Sequence, residues 1–414
     1  MSTSGIEQPK RVASVLRERS FRLLCFSRAS STLAFQIQAV AVGWQIYALT
    51  NSPFQLGMVG LAQFLPMVIL NLAVGHFADR HDRRRIVSVC QCIEGTATAA
   101  LAIGSFTGYL SAPAIYAAVA VIGAARAFEG PTMQALIPGL VDEVMLPQAI
   151  ALSTSAFQTA SIAGPAVGGF LYALGVTAPY AVAAALFLSA GFFSGSVRVA
   201  RTIARKEPAT LKSVFSGIHF IRSRPAVLGA ISLDLFAVLL GGATALLPIF
   251  AREILHTGPW GLGVLRAAPA LGAVAMSITL AHKPLKGSAG MTMFYAVMGF
   301  GAATVVFGLS SSIYLSLAAL LALGAFDVVS VVIRQSLVQL QTPDEMRGRV
   351  SAVNSLFVGT SNQLGEFESG VTAAWFGTVP AVVIGGVGSI FIAGLWMFLF
   401  PELRKLQRLH NGHK

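Results

Sequence analysis

Between two apolar runs, near residues 54–78 and 86–107, the chain reads Gly75-His76-Phe77-Ala78-Asp79-Arg80-His81-Asp82-Arg83-Arg84-Arg85. Each flanking run has the roughly 20 residues that a helix needs to cross the hydrocarbon core of a bilayer. A tight turn carrying four arginines joins them. This is the pattern of two spanning helices that meet at a membrane surface. Working outward, comparable runs occur near 24–49, 112–138, 146–174 and 176–197. A charged stretch from Arg198 to Arg224 follows, and then six more runs near 226–251, 259–281, 290–309, 312–340, 348–376 and 378–400. The runs are long, continuous and without period-two alternation, so they read as helices and not as barrel strands. The expected fold is an all-α integral membrane protein with 12 transmembrane helices in two pseudo-symmetric six-helix bundles.

Composition agrees. Of 414 residues, 55% are apolar and 11% charged, against about 25% charged in a soluble domain; the mean hydropathy is +0.72. So few ionisable groups cannot cover a water-exposed surface of this size, which excludes soluble enzymes and disordered chains. The net charge of +12 does not indicate a nucleic-acid partner, because the basic residues lie in short clusters between apolar runs. There they meet the anionic headgroups of membrane lipids. Cys25, Cys90 and Cys92 are too few for a disulfide framework. Lys10, Arg11, Arg17, Arg19 and Arg22 precede the first run with no small-residue cleavage site after it, so no cleavable signal peptide is expected.

The basic residues also set an orientation. With the N-terminus inside, the inner segments hold Lys10 to Arg22, the arginine turn, the stretch from Arg198 to Arg224, Lys283, Lys286, Arg347, Arg349 and the tail basics. The outer loops hold one basic residue, Arg252, beside Glu253. Both termini are therefore expected in the cytoplasm. The expected boundaries are an N-terminal segment 1–22, a bundle 23–197, a linker 198–224, a bundle 225–400 and a tail 401–414. Within the linker, Leu211, Val214, Phe215 and Ile218 recur at helical spacing, which reads either as an amphipathic helix on the inner face or as an ordinary solvated linker.

The halves repeat one another. Ser52-Pro53-Phe54-Gln55-Leu56-Gly57 has a counterpart 206 residues later in Gly258-Pro259-Trp260-Gly261-Leu262-Gly263, and Val141-Asp142-Glu143 has one 202 residues later in Pro343-Asp344-Glu345. A duplicated six-helix unit places a binding site at the interface of the halves.

Three motifs carry a resemblance. The arginine turn resembles motif A of the major facilitator superfamily, Gly-x-Leu-Ala-Asp-Arg-x-Gly-Arg-Arg, departing from it at Phe77 and Asp82. Its counterpart in the second half, Ala281-His282-Lys283-Pro284-Leu285-Lys286, is degenerate. Ile122, Arg126, Glu129 and Gly130 resemble motif B. Ala160, Gly164-Pro165 and Gly168-Gly169 resemble motif C, with Ala160 in place of its first glycine. Thr342 to Val350, Asn354 to Phe357 and Ser361 to Gly370, with Phe21-Arg22-Leu23 and Ser27-Arg28, are similar to the branch of enterobactin-exporter-like and drug:proton antiporters. The resemblance implies a gating role for Gly75, Asp79, Arg80, Arg83 and Arg84, proton coupling through Arg126, and export through the signature of Gly164, Pro165, Gly168 and Gly169. It also implies a bacterial inner membrane, a monomer, a small-molecule substrate and protons as the coupling ion. Structural readings stand beside these: the Arg126–Glu129 pair at i and i+3 can simply hold helices together, and the glycines can simply allow close packing.

Ionisable groups at membrane depth are costly and are functional candidates. Glu129, Arg126, Asp234, Asp327 and Glu366 are the candidates for proton coupling. Glu366 and Glu368, two apart, cannot both face one cavity. Arg28, Gln38, Trp44, Arg266, Arg334 and Glu94 are the candidates for lining the cavity. For each of them a structural pair or a solvated wall is the alternative, and for the aromatics lipid-facing packing. The expected function is a secondary exporter of a small amphipathic molecule, a siderophore or a lipophilic drug, by proton antiport. A lysolipid flippase or a solute importer of the same superfamily is the alternative, and the direction of flux separates them. No HExxH, GxSxG or P-loop pattern is present, so neither an enzyme nor a cofactor is expected.

Overall fold

The computed structural model describes residues 12–78, 80–198, 211–283 and 287–406, and among them the regular structure is entirely helical. The first six long helices are α1 (Arg19–Thr50), α2 (Pro53–Ala78), α3 (Arg83–Thr107), α4 (Ala112–Leu136), α5 (Leu146–Leu174) and α6 (Thr177–Gly195). A short α7 (Leu211–Arg222) leads into α8 (Pro225–Leu240), α9 (Leu247–Ile249), α10 (Gly258–His282), α11 (Ala289–Leu309), α12 (Ile313–Gln341), α13 (Asp344–Phe376), α14 (Thr378–Leu399) and α15 (Pro401–Arg404). Among the described residues, nine helical segments are long and apolar enough to cross a membrane, one of them running from Pro225 through α9 to Ile254. The other three expected spans are α1, α5 and α13, helices of 32, 29 and 33 residues. All three contribute residues to the wall of an internal cavity, α1 and α13 with several polar side chains.

The helices pack as two bundles, α1 to α6 and α8 to α14, joined chiefly where α5 meets α10 and α2 meets α13. With little hydrophobic drive between helices in lipid, close backbone approach carries the association. The α11–α14 crossing illustrates it: a Cβ on Gly301 would lie 2.5 Å from the Gly386 carbonyl oxygen, and one on Gly386 would lie 2.7 Å from that of Gly301.

One span is interrupted. α8 stops at Gly241-Gly242, where a Cβ on Gly242 would come within 2.6 Å of the Gly365 carbonyl oxygen and of Ser369 Oγ on α13. The chain resumes as a tight turn over Ala243–Leu246, α9 and a π-helical turn at Phe250–Ile254. α1, its counterpart in the first half, is continuous.

The linker residues 199–210 lie outside the described set, but the helix expected around Leu211 to Ile218 is present as α7. It docks on the start of α13, where Gly217 lies against the Arg349 backbone and Arg349 Nη1 donates to Ser216 Oγ at 3.5 Å.

The arginine turn is bound within its own bundle. Asp82 caps α3 by accepting from the Arg84 backbone N–H at 3.1 Å and pairs with the Arg84 side chain at 2.8 Å. Arg84 Nη1 also donates to the Val197 carbonyl beyond α6 at 3.1 Å, and Arg83 Nη1 to the Ala135 carbonyl near the end of α4 at 3.3 Å. Both arginines thus meet helix C-termini, where cations are favoured. Partial burial pushes the Asp82 carboxyl up, but the bonds from Arg84 outweigh it and hold the group below its usual range.

Three substitutions test these contacts through stability. Gly386→Val should destabilise detergent-purified protein by about 1–3 kcal/mol through overpacking. Gly394→Ala, where a Cβ meets nothing within 4 Å, should leave the unfolding midpoint unchanged or raise it. Asp82→Ala should cost about 1 kcal/mol as a lost cap. Because the folded-state carboxyl titrates below the unfolded one, the capping contribution is complete above the unfolded value of about 3.9. It is lost as pH falls through the lowered folded value, so the gap between wild type and Asp82→Ala should close in acid.

Candidate functional site

A cavity of about 510 Å³ lies between the bundles. Its wall on the first half is built by Phe35, Gln36 and Gln38 of α1, Gln63 of α2, Arg126 of α4 and Phe157 of α5; on the second half it is built by Arg266 of α10 and by Asn362, Gln363 and Glu366 of α13. The break in α8 adds Thr244, Ala245 and Pro248. Each half therefore presents one guanidinium. The Arg126 guanidinium carbon sits 3.9 Å from the centre of the Phe35 ring, a close cation–π contact. Arg266 Nη1 donates to the Ala39 carbonyl across the interface at 3.1 Å, and Glu366 supplies its opposing charge. Amides, guanidiniums and flat rings on one concave surface can bind a ligand with both oxygen acceptors and apolar faces.

Behind each wall lies a buried polar knot. In the first half, Glu129 Oε1 accepts from Ser31 Oγ at 2.6 Å and from Gln91 Nε2 at 2.8 Å, while Oε2 stands 3.5 Å from Arg126 Nη1. Gln91 Oε1 in turn accepts from Ser27 Oγ at 3.1 Å and Ser194 Oγ at 2.7 Å. Four helices, α1, α3, α4 and α6, are thus tied at one place. In the second half, Arg334 Nη2 pairs with Asp234 Oδ2 at 3.2 Å, and Arg334 Nη1 donates to Asn354 Oδ1 at 2.8 Å, which ties α8, α12 and α13. The knots are related by the repeat: Ser31 and Asp234 are 203 apart, Glu129 and Arg334 are 205 apart. Beside the second knot, Asp234, Asp327 and Ser330 line a crevice of about 10 Å³, room for about one water.

The structure sorts the expected cavity residues into groups. Gln38 and Arg266 line the cavity with Arg126 and Glu366. Arg28 lies beside it, donating to Ser153 Oγ at 2.8 Å and stacking on the cavity residue Phe157 at 5.2 Å. Trp44 packs on Tyr172, 6.2 Å between ring centres, away from the lining. Arg334 is buried in its knot and Glu94 is buried against Glu129, neither reaching the cavity wall. Glu368 turns away from Glu366 and accepts from Thr372 Oγ1 at 2.7 Å. Of the residues expected to gate, Gly75 lies in the last turn of α2, Arg80 is exposed, Arg83 and Arg84 cap helix ends, and Asp79 lies outside the described residues.

The motif C residues divide their work. A Cβ on Gly164 would collide with the Gln36 side chain, and one on Gly168 would lie 2.9 Å from Ile37 Cα, so both press on α1 around Pro165. Gly169 faces the other bundle: its Cβ would lie 2.8 Å from Gly263 Cα on α10. A Cβ on Gly57 of α2 would likewise lie 2.9 Å from Gly370 Cα on α13. Gly57 and Gly263 are repeat partners, so the halves close on each other at two equivalent crossings. At the same end of the bundles, the Tyr47 hydroxyl donates to the Glu253 carboxylate, and Arg252 stacks on the Tyr47 ring at 5.6 Å.

Sequence reading did not single out Gln91, Ser31, Gln63 or Phe157. For Gln91 a signal was present, since it lies three residues before Glu94 and so shares its face of α3.

The chain's relatives agree with this architecture. The pattern of a family described as transmembrane secretion effector matches residues 12–411. The enterobactin exporter EntS of Citrobacter koseri is 26% identical over 399 residues, 94% of each chain, and that of Escherichia coli is equally similar. Among solved structures, a bacterial homologue of the human lysosomal transporter Spinster, inward-facing and unoccupied, superposes with a TM-score of 0.76 at 13% identity over 97% of this chain and 99% of that one. A bacterial homologue of the iron transporter ferroportin, also inward-facing, gives 0.67 at 16% over 91% and 99%. The match over nearly the whole length, on a fold of two helical bundles around a polar cavity, makes this chain a member of the transmembrane secretion effector family of the major facilitator superfamily, a multi-pass membrane transporter.

Proposed function

We propose that the chain is a secondary active exporter of a small amphipathic molecule, a siderophore in the first instance, working by alternating access with proton antiport from the cytoplasmic face. The observation that carries this reading is the cavity between the halves, with one guanidinium from each half and aromatic rings between amide side chains. Such a wall suits a solute that has both oxygen acceptors and flat apolar faces, and the relatives named as enterobactin exporters make a catecholate siderophore the first solute to test. With both termini in the cytoplasm, the glycine crossings lie at the outer end, so the described state is closed outside. Arg83 and Arg84 are then bound within their own bundle, as expected of a motif that grips the other half only when the inner side closes. Arg126, Glu129, Asp234, Asp327 and Glu366 are the groups through which protons would be coupled.

The transport test uses purified protein in liposomes with an acidic lumen. Enterobactin should accumulate inside while the lumen becomes more alkaline, and Glu129→Gln should abolish the accumulation. Uptake without proton movement would overturn antiport; gradient collapse on adding lipophilic cations, with no siderophore uptake, would move the cargo to the drug class.

A second measurement addresses the outer closure. With Cys25, Cys90 and Cys92 replaced and Gln38→Cys introduced in the cavity, a membrane-impermeant maleimide is applied from outside to right-side-out vesicles. Gly169→Val should disfavour the closed crossing by about 1–3 kcal/mol, shifting the balance of states by roughly 5- to 150-fold. Labelling should therefore accelerate strongly. An unchanged rate would sink the role of the α5–α10 crossing in outer closure.

A further inference from the structure

Glu94 is an ionisable group of the expected set to which the cavity reading gives no work. It is fully buried in α3, and neither carboxyl oxygen accepts a hydrogen bond from any donor among the described residues. Gln91, one turn before Glu94 on α3, donates to Glu129, which brings the Glu129 carboxyl to Glu94, and the charge of Arg126 reaches both carboxyls. Glu129 differs in its hydrogen bonds: Ser31 and Gln91 donate to it, and Arg126 stands at 3.5 Å. The elements around the pair add no other counter-charge at contact. α1 supplies Ser27 and Ser31 and, at longer range, the charge of Arg28, which reaches Glu129. α3 supplies Gln91 and the thiol of Cys90. α4 supplies Arg126, and α6 supplies Ser194, already bonded to Gln91. On the lipid side, Leu188 of α6 packs onto Gly95 next to Glu94, a contact so close that a Cβ there would lie 2.8 Å from it.

Two facing carboxylates in such a place would repel each other, and one of them would be a buried ion with no donor, which is costly even after relaxation. A single proton removes both penalties. On Glu94 it turns an oxygen with no partner into a donor, and Glu129 has acceptor capacity to receive it. We infer that Glu94 and Glu129 share one proton, held on Glu94 and donated in a hydrogen bond to Glu129, and that this carboxyl pair is the proton site of the first bundle.

The pair is connected to the cavity by Arg126. With one proton on the pair, Glu129 keeps its negative charge and Arg126 keeps its counter-ion. A second proton, on Glu129, would leave Arg126 as an uncompensated cation on the Phe35 ring, facing the cargo. The cavity would therefore sense how many protons the pair holds. This coupling rests on the exporter reading, whereas the shared proton itself does not.

The test needs no cargo, so a failed export assay and a failed proton assignment are distinguishable. Infrared spectra are taken of the full chain in lipid bilayers at neutral pH, and the variant is subtracted from the wild type so that other carboxyls cancel. Glu94→Gln should remove a protonated-carboxyl carbonyl band. Glu129→Gln should keep that band but shift it to higher frequency, because the ionised acceptor has become an amide. No band in the Glu94→Gln difference spectrum would show Glu94 to be ionised and overturn the site. A band unshifted by Glu129→Gln would overturn the sharing. Should Glu94→Gln fail to fold, Glu94→Asp keeps the acid: with isotope-labelled glutamate throughout, the band should move on labelling in the wild type and stay in place in this variant. Movement in both would assign the proton to another glutamate and sink the inference.

Discussion

A charge inside a bilayer must be paired, wetted or neutralised, and the arrangement of this transporter follows from how its few buried charges meet that demand. Glu129 is the clearest case. Its carboxyl cannot go to solvent, so it gathers donors from its surroundings, and those donors stand on α1 and α3, with α6 linked through Gln91. The tie that satisfies the charge is also the tie that fixes the bundle. Arg334 does the same for α8, α12 and α13 in the second half. Each half thus has its own polar knot, built from residues of that half alone.

The contacts between bundles combine a few hydrogen bonds, Arg266 to the Ala39 carbonyl and Tyr47 to Glu253, with two close glycine crossings. Gly57 with Gly370 and Gly169 with Gly263 bring backbones together with no side chains interposed. Such crossings gain dispersion energy when closed, yet opening them exposes no unpaired polar group to lipid. A hydrogen-bonded seam of equal area would resist separation far more strongly. Buried polar networks thus tie each bundle, while the seam between bundles rests largely on glycine packing with a few hydrogen bonds beside it. Motif C spans both tasks, with Gly164 and Gly168 seating α5 on its own bundle and Gly169 reaching across.

Much of this could be read before any coordinates. The length of the apolar runs, the basic turns and the 206-residue offset identify the membrane class and the duplication, because those properties are local or periodic in the chain. The Arg126–Glu129 pair was legible as well, being one helical turn apart. What the sequence could not show is which helix a polar side chain faces. Trp44 and Gln38 sit on the same helix, and only the packing of α5 sends one to Tyr172 and the other to the cavity. Glu94 and Arg334 look like cavity groups by depth alone, yet their partners arrive from helices tens to a hundred residues away. α1 and α13 illustrate the reverse case: the polar side chains that they turn to the cavity weaken the hydropathy signal of a span.

The interruption of α8 gives the two halves different mechanical character. In the first bundle α1 runs unbroken from end to end and transmits a tilt as a rod would. In the second, the equivalent path is cut at Gly241-Gly242, and the piece beyond it, through Pro248 to the π-helical turn, borders the cavity and carries Arg252 and Glu253 at its far end. A rotation on one side of the break need not be passed on in full to the other. The first bundle thus keeps a stiff path where the second has a compliant joint, and Thr244 and Pro248 of the cavity wall lie on the segment whose tip bonds Tyr47.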